Sequence, residues 1–142
     1  MTLNPCPLFD GNCRQAFDHD VRHLGAKLQM RSTFGEMPPG NGPDIPEGDR
    51  DRVMHAALEP RGALPMGSDG LSEPPHEGIK GACVVPHVAP PEEAGQPHIV
   101  LADGARRIEM PLQQTFRARR HAMLVDRFGV PWMVDCSEPC QP

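Results

Sequence analysis

Hydrophobic and polar positions change period several times along the chain, and each change marks an element. Residues 3–9 are apolar enough for a short strand and run into an Asp10-Gly11 turn. Asn12 can cap a helix over 13–24, with Ala16, Phe17 and Leu24 turned inward, and Gly25 stands where a helix commonly ends. Over 27–34 the period shortens towards two, with Leu28 and Met30 on one face and Gln29 and Arg31 on the other, which predicts a strand. Periodicity then stops over 35–50, where Pro38, Pro39, Pro43 and Pro46 fall among glycines. So long an irregular connection marks a candidate functional loop or lid. Two strands, 52–58 and 63–66, follow around a turn at Pro60 to Gly62.

After a second Pro/Gly-rich stretch at 68–78 the order recurs. Residues 79–88 are apolar and β-branched, Pro91-Glu92-Glu93-Ala94 can open a helix, and 107–110, 122–126 and 131–136 read as strands. The expected fold class is α+β, with one βαβββ module over 1–70, a second over 78–137 and a tail at 138–142. The second helix, expected over about 91–103, carries Gly95 and Pro97 in its middle. An interior Pro costs about 3 kcal/mol and Gly about 1 kcal/mol, so this helix should be irregular or shortened.

Composition narrows the partners. Lys and Arg total 14 against 19 Asp and Glu, a net charge of −5, which lacks the positive field that a phosphate backbone demands. No apolar run nears the roughly 20 residues that cross a bilayer, and no Lys or Arg precedes the first apolar residues as in a secretory signal. A cytoplasmic protein with neither nucleic acid nor membrane as partner is expected. Pro and Gly make up 32 of 142 residues, and Leu, Ile, Val and Phe only 28, so the hydrophobic margin is thin. High net charge, the other mark of disorder, is missing. Five cysteines without an export signal do not suggest a disulfide framework, and the Cys136/Cys140 pair has no His nearby to complete a zinc site. His19 and His23, four apart, share a helical face that reads as solvated.

Three segments are more specific. They are Thr33-Phe34-Gly35-Glu36-Met37-Pro38; Arg52-Val53-Met54-His55-Ala56 with Met66-Gly67-Ser68-Asp69; and the run Met110-Pro111-Leu112-Gln113-Gln114-Thr115-Phe116 with Met123-Leu124-Val125-Asp126-Arg127-Phe128-Gly129-Val130-Pro131-Trp132-Met133. With Asn4-Pro5 and Asp10-Gly11-Asn12-Cys13-Arg14, they closely resemble the PhnB-like proteins, a glyoxalase-like branch of the vicinal oxygen chelate superfamily. The resemblance implies the glyoxalase/bleomycin-resistance/dioxygenase fold. In that fold, paired βαβββ modules form a curved mixed sheet around a small-molecule cavity, usually in a homodimer.

Enzymes of the superfamily hold a divalent metal through His and Glu side chains of both modules. Carried over position by position, the ligands fall near Pro5, in the segment holding His55, around Lys80 or Gly81, and near Met133. Proline has no donor side chain, and a thioether does not replace a hard carboxylate. Neither a metal nor any other cofactor is therefore expected. The 3-demethylubiquinone methyltransferase label often given to such sequences has no Gly-rich strand-to-helix turn behind it here.

The candidate ligand-binding residues are Glu36, His55, Gln113, Thr115, Phe116 and Trp132. Glu36 can orient a polar substrate or act as a base, and His55 can face a cavity from its strand. Gln113 and Thr115 offer neutral hydrogen-bonding groups, and the two rings can line a pocket or a core equally well. Arg106, Arg107, Arg117, Arg119 and Arg120 form the one basic cluster, suited to an anion such as a phosphonate or to a solvated face.

The chain departs from the family at Arg117 and His121, where aromatics are usual, at His19 and Asp20, where an aromatic pair is usual, and over 84–100. The leading reading is a metal-free binder of an unidentified small molecule. One alternative is a metal-dependent lyase, isomerase or dioxygenase using His55. Another is a degenerate copy whose second module is impaired, or whose middle is read in a shifted frame.

Overall fold

A computed structural model describes residues 1, 3–59, 64–86, 95–116, 118 and 120–136. Contacts gather into two units, Met1–Gly78 and Ile79–Pro142. The first unit contains β1 (Leu8–Phe9), α1 (Cys13–His23), β2 (Lys27–Thr33), β3 (Val53–Glu59) and β4 (Met66–Asp69). Its mixed sheet has the order β1-β4-β3-β2, with β1 parallel to β4 and the other pairs antiparallel.

The helix α1 starts and stops where the residues direct. It buries Cys13, Ala16, Phe17 and Asp20, and Gly25 beyond its end takes φ +70°. Phe17 meets Phe9 edge to face at 6.3 Å. The helix lies so close to β4 that a Cβ on Gly67 would stand 2.6 Å from the Phe17 ring. Two strands differ from expectation. β1 spans Leu8–Phe9 only, because Pro5 and Pro7 have no N–H for the ladder. β4 lies at Met66–Asp69 rather than 63–66; Leu64 and Pro65 precede it, and Ala63 lies outside the described residues. The 35–50 segment is irregular as expected, apart from single 3-10 turns at Phe34–Glu36 and Glu47–Asp49.

The second unit repeats the plan in reduced form. It contains α2 (Gly95–Ala102), β5 (Arg107–Gln113), β6 (Arg120–Val125) and β7 (Pro131–Cys136), with the sheet order β5-β6-β7, all antiparallel. The strand expected over 79–88 is, among the described residues, one parallel bridge between Val84 and Trp132. Val84 donates to the Pro131 carbonyl and accepts from Met133, both at 2.9 Å. Pro86 and the glycines at 78 and 81 keep it from extending, and residues 87 and 88 lie outside the described residues. Val84 therefore stands beside β7 as β1 stands beside β4, and the first-segment, last-strand parallel pairing recurs in both halves.

Pro97 is the third residue of α2, in the first turn, where its missing N–H leaves no intrahelical bond unmade. The described helix ends at Ala102, one residue before the expected end, and residues 91–94 of the expected span lie outside the described residues. β5 runs on through Pro111, which sits on an edge strand at a register irregularity between Met110 and Gln113. β6 begins at Arg120, two residues before the expected start, and β7 matches its expected bounds. Leu101, Ala122, Leu124, Val130, Trp132 and Val134 are buried, so this unit has a core of its own. Among the described residues, no helix is long and apolar enough to cross a membrane.

Candidate functional site

Buried carboxylates pin the loops of the first unit. Asp69 ends β4 and accepts the backbone N–H of Cys13 at 3.0 Å and of Val53 at 2.7 Å, tying helix, strand and turn to one side chain. Asp49 closes the long loop: it accepts the Ser72 N–H at 3.0 Å and the Ser72 hydroxyl at 2.8 Å, and lies 3.1 Å from the Arg52 Nε. The Ser72 backbone N–H is the main cause holding the Asp49 carboxyl below its usual range; burial opposes it, and the Ser72 hydroxyl and Arg52 reinforce it. Both ends of the irregular 35–50 segment are thereby fixed, since Gly35 also donates to the Arg50 carbonyl at 2.8 Å.

Held in this way, the segment wraps a pocket of about 340 Å³. Its apolar walls are Phe34, Met37, Pro38, Pro39, Pro43 and Ile45, and Asp44 and Arg50 supply its charges. The prolines keep φ fixed without regular structure, so the loop can be irregular and still shaped. Glu36, beside the pocket in sequence, is exposed, and its Oε2 accepts the Thr33 N–H at 2.7 Å. Its carboxylate secures the strand-to-loop corner. His55 is half-buried on β3, opposite Ser32 in register.

In the second unit, Asp126 organises the β6–β7 turn. Its Oδ1 accepts from the Phe128 and Val130 N–H groups, both at 2.9 Å, and its Oδ2 accepts from Trp132 Nε1 at 2.7 Å. Trp132, 2% exposed, is thus an interior anchor. Thr115 is paired with Ala118 in a turn, donating its N–H to the Ala118 carbonyl at 2.9 Å and accepting the Ala118 N–H on Oγ1 at 3.2 Å. Phe116 is 92% exposed, and Gln113, also exposed, pairs with His121. Of the six singled-out residues, Gln113, Thr115, Phe116 and Trp132 belong to this unit, and Glu36 and His55 to the first.

Of the basic cluster, Arg107 is paired with Glu109 at 2.8 Å, Arg106 bonds the Arg127 carbonyl at 3.2 Å, and Arg120 is exposed. Arg117 and Arg119 lie outside the described residues. The Cys13 thiol is pushed up to about 12, by burial first and then by the Asp69 carboxylate, and so is inert.

One pairing escaped the sequence reading. The hairpin register sets His121 opposite Asp135, with the His121 Nδ1 3.9 Å from the Asp135 Oδ1. A turn centred on Phe128 pairs residues equidistant from it, and that was the available signal.

The metal-ligand positions do not fit a metal. Pro5 and Met133 cannot supply a hard donor, and among the described residues no three His, Cys, Asp or Glu side chains gather to hold an ion.

Two βαβββ units with the same strand order define the vicinal oxygen chelate fold class. Solved proteins of glyoxalase, bleomycin-resistance and fosfomycin-resistance type share that fold at 9% and 16% identity. No family model matches the chain. It is 33% identical over 141 residues to protein YjdN of Escherichia coli (strain K12), covering 95% of both chains. It is also 37% identical to protein PA1353 of Pseudomonas aeruginosa, with a TM-score of 0.80 over 97% of this chain and 100% of that one. The Bacillus cereus PhnB protein, which carries a 3-demethylubiquinone-9 3-methyltransferase label, superposes with a TM-score of 0.72 at 21% identity, over 96% and 100% of the two chains. The chain belongs to the PhnB-like family of the vicinal oxygen chelate superfamily.

Proposed function

We propose that this chain binds a small molecule, as a homodimer and without the divalent-metal chemistry of the superfamily's enzymes. The observation that carries the reading is the pocket of about 340 Å³ in the first unit, a volume typical of small-molecule sites, in which Phe34, Met37 and Ile45 stand beside Asp44 and Arg50. Support for a metal-free mode comes from the donor chemistry: His55 is the one plausible ligand among the carried-over positions. The family resemblance supports two copies. The edge strands β2 and β5 expose Leu28, Met30 and Ile108 at 41, 48 and 50%, apolar surface that a second copy would cover.

The test is a titration of protein carrying 13C-methyl methionine with 4-methylanisole, an apolar ring suited to Phe34 and Met37. The Met37 methyl signal should shift, and Ile45→Trp, which fills the pocket, should weaken the effect at least fivefold. A Met37 signal that stays in place up to the solubility limit overturns the reading. Native mass spectrometry after incubation with Mn²⁺ and Zn²⁺ should give a dimer that retains no ion. A stoichiometric retained ion would reinstate the metal-dependent lyase, isomerase or dioxygenase reading.

A further inference from the structure

Helix α1 carries a pair of side chains that neither the strands nor the pocket uses. We infer that His19 and His23 form a divalent-copper site on α1, separate from the strand positions that hold the metal in the superfamily's enzymes.

Spacing, burial and charge each support the site. Residues four apart stand one turn above another on a helix, and the two rings lie 4.7 Å apart between centroids, inclined by 49°. The His19 side chain is 14% exposed and its Nδ1 is buried, so the ring meets solvent along the opposite edge, which carries Nε2. Behind Nδ1 stands the carboxylate of Asp20, itself buried, with its Oδ1 at 3.6 Å. A carboxylate on that side keeps the ring proton on Nδ1 and leaves the Nε2 lone pair for an ion, the arrangement that orients metal-bound imidazoles. His23 is exposed, so its ring can turn until both Nε2 atoms stand about 2 Å from one ion. Both residues lie towards the C-terminal end of α1, where the negative end of the helix dipole favours a cation.

The donor set selects the ion. Imidazole suits copper, nickel and zinc rather than Mg²⁺, Ca²⁺ or Mn²⁺, and copper leads the affinity order of the divalent first-row ions. Two neighbouring imidazoles, with water in the remaining positions, match the tetragonal geometry of Cu²⁺, whereas a zinc site takes three or four protein ligands. Among the described residues no third His, Cys, Asp or Glu donor joins the pair. Zn²⁺ and Mn²⁺ are therefore held too loosely to survive removal of free metal. His19 stands where the family usually carries an aromatic ring, so the site is a property of this chain and not of the family plan.

The test adds substoichiometric CuCl₂ to full-length 15N-labelled protein, with the exposed thiols of Cys6 and Cys83 blocked by iodoacetamide. Paramagnetic Cu²⁺ broadens the amide signals of nearby residues, so those of 19–24 should fade first, and a titration in competition with glycine should count one ion per chain. His23→Ala, at an exposed position, and His19→Phe, which installs the kind of ring usual in the family, should each weaken binding at least tenfold and bring the signals back. Unchanged amide signals over β3 and β4 confirm a folded variant, and the exposed position of His23 keeps the assay decisive if the His19 variant folds poorly. Fading centred elsewhere, binding that survives in His23→Ala, or Zn²⁺ bound as tightly as Cu²⁺ overturns the inference. The pocket of the first unit, which needs no metal, stands or falls separately.

Discussion

The two units execute one βαβββ plan with different means. In the first, an amphipathic α1 is buried against β4 through Gly67 and Phe17, and a true β1 closes the edge. In the second, the described residues before α2 contribute the Val84 bridge, and β6 and β7 pair without a shift over all six positions. The second unit therefore relies on its hairpin and on Asp126, while the first relies on helix packing and on Asp69. A self-contained corner can specify an inner hairpin without help from a packed helix.

Breaking each unit at its own fastening should give different costs. The largest belongs to Asp126→Ala, which strands two backbone N–H groups and the buried indole N–H of Trp132. A loss of about 3 kcal/mol or more is expected in urea denaturation followed by circular dichroism; a loss under about 1 kcal/mol would refute the corner's role. Gly67→Ala comes next. Its methyl would sit 2.6 Å from the Phe17 ring, and forcing α1 away should cost about 2 kcal/mol. The same melt checks it, and a neutral result would mean that α1 can shift freely on the sheet. The smallest effect sharpens the comparison. Pro97→Ala should change stability by no more than about 0.5 kcal/mol, because Pro97 lies in the first turn of α2. A gain near 3 kcal/mol would show that Pro97 breaks a longer helix.

Much of the fold was legible because the periodic segments are locally consistent. The helix over 13–24 and the strand over 131–136 lie where apolar period, glycine and alternation put them, although the Cys13 N–H at the helix start goes to Asp69 rather than to the expected Asn12 cap. Errors fell where proline has two meanings. Pro5 and Pro7 end pairing and shorten β1, whereas Pro111 is tolerated because β5 is an edge, a tertiary fact invisible in a window of residues. Asp126 read as the last residue of a strand, and its bond to Trp132 emerges only once the turn is folded. The pocket was foreshadowed by the unusual length of the 35–50 segment. The His121–Asp135 pairing was hidden because neither residue belongs to a short motif, and hairpin register alone unites them.

Trp132, clasped by Asp126, is the only tryptophan, and the chain has no tyrosine. Near-ultraviolet absorption and emission therefore originate almost wholly in one half of the molecule, with no phenol to feed energy into the indole. A melt read by fluorescence reports the loss of the β6–β7 corner and is blind to α1, whereas the amide signal averages both units. If the two curves part, the halves have lost cooperativity, and the optical midpoint belongs to the second.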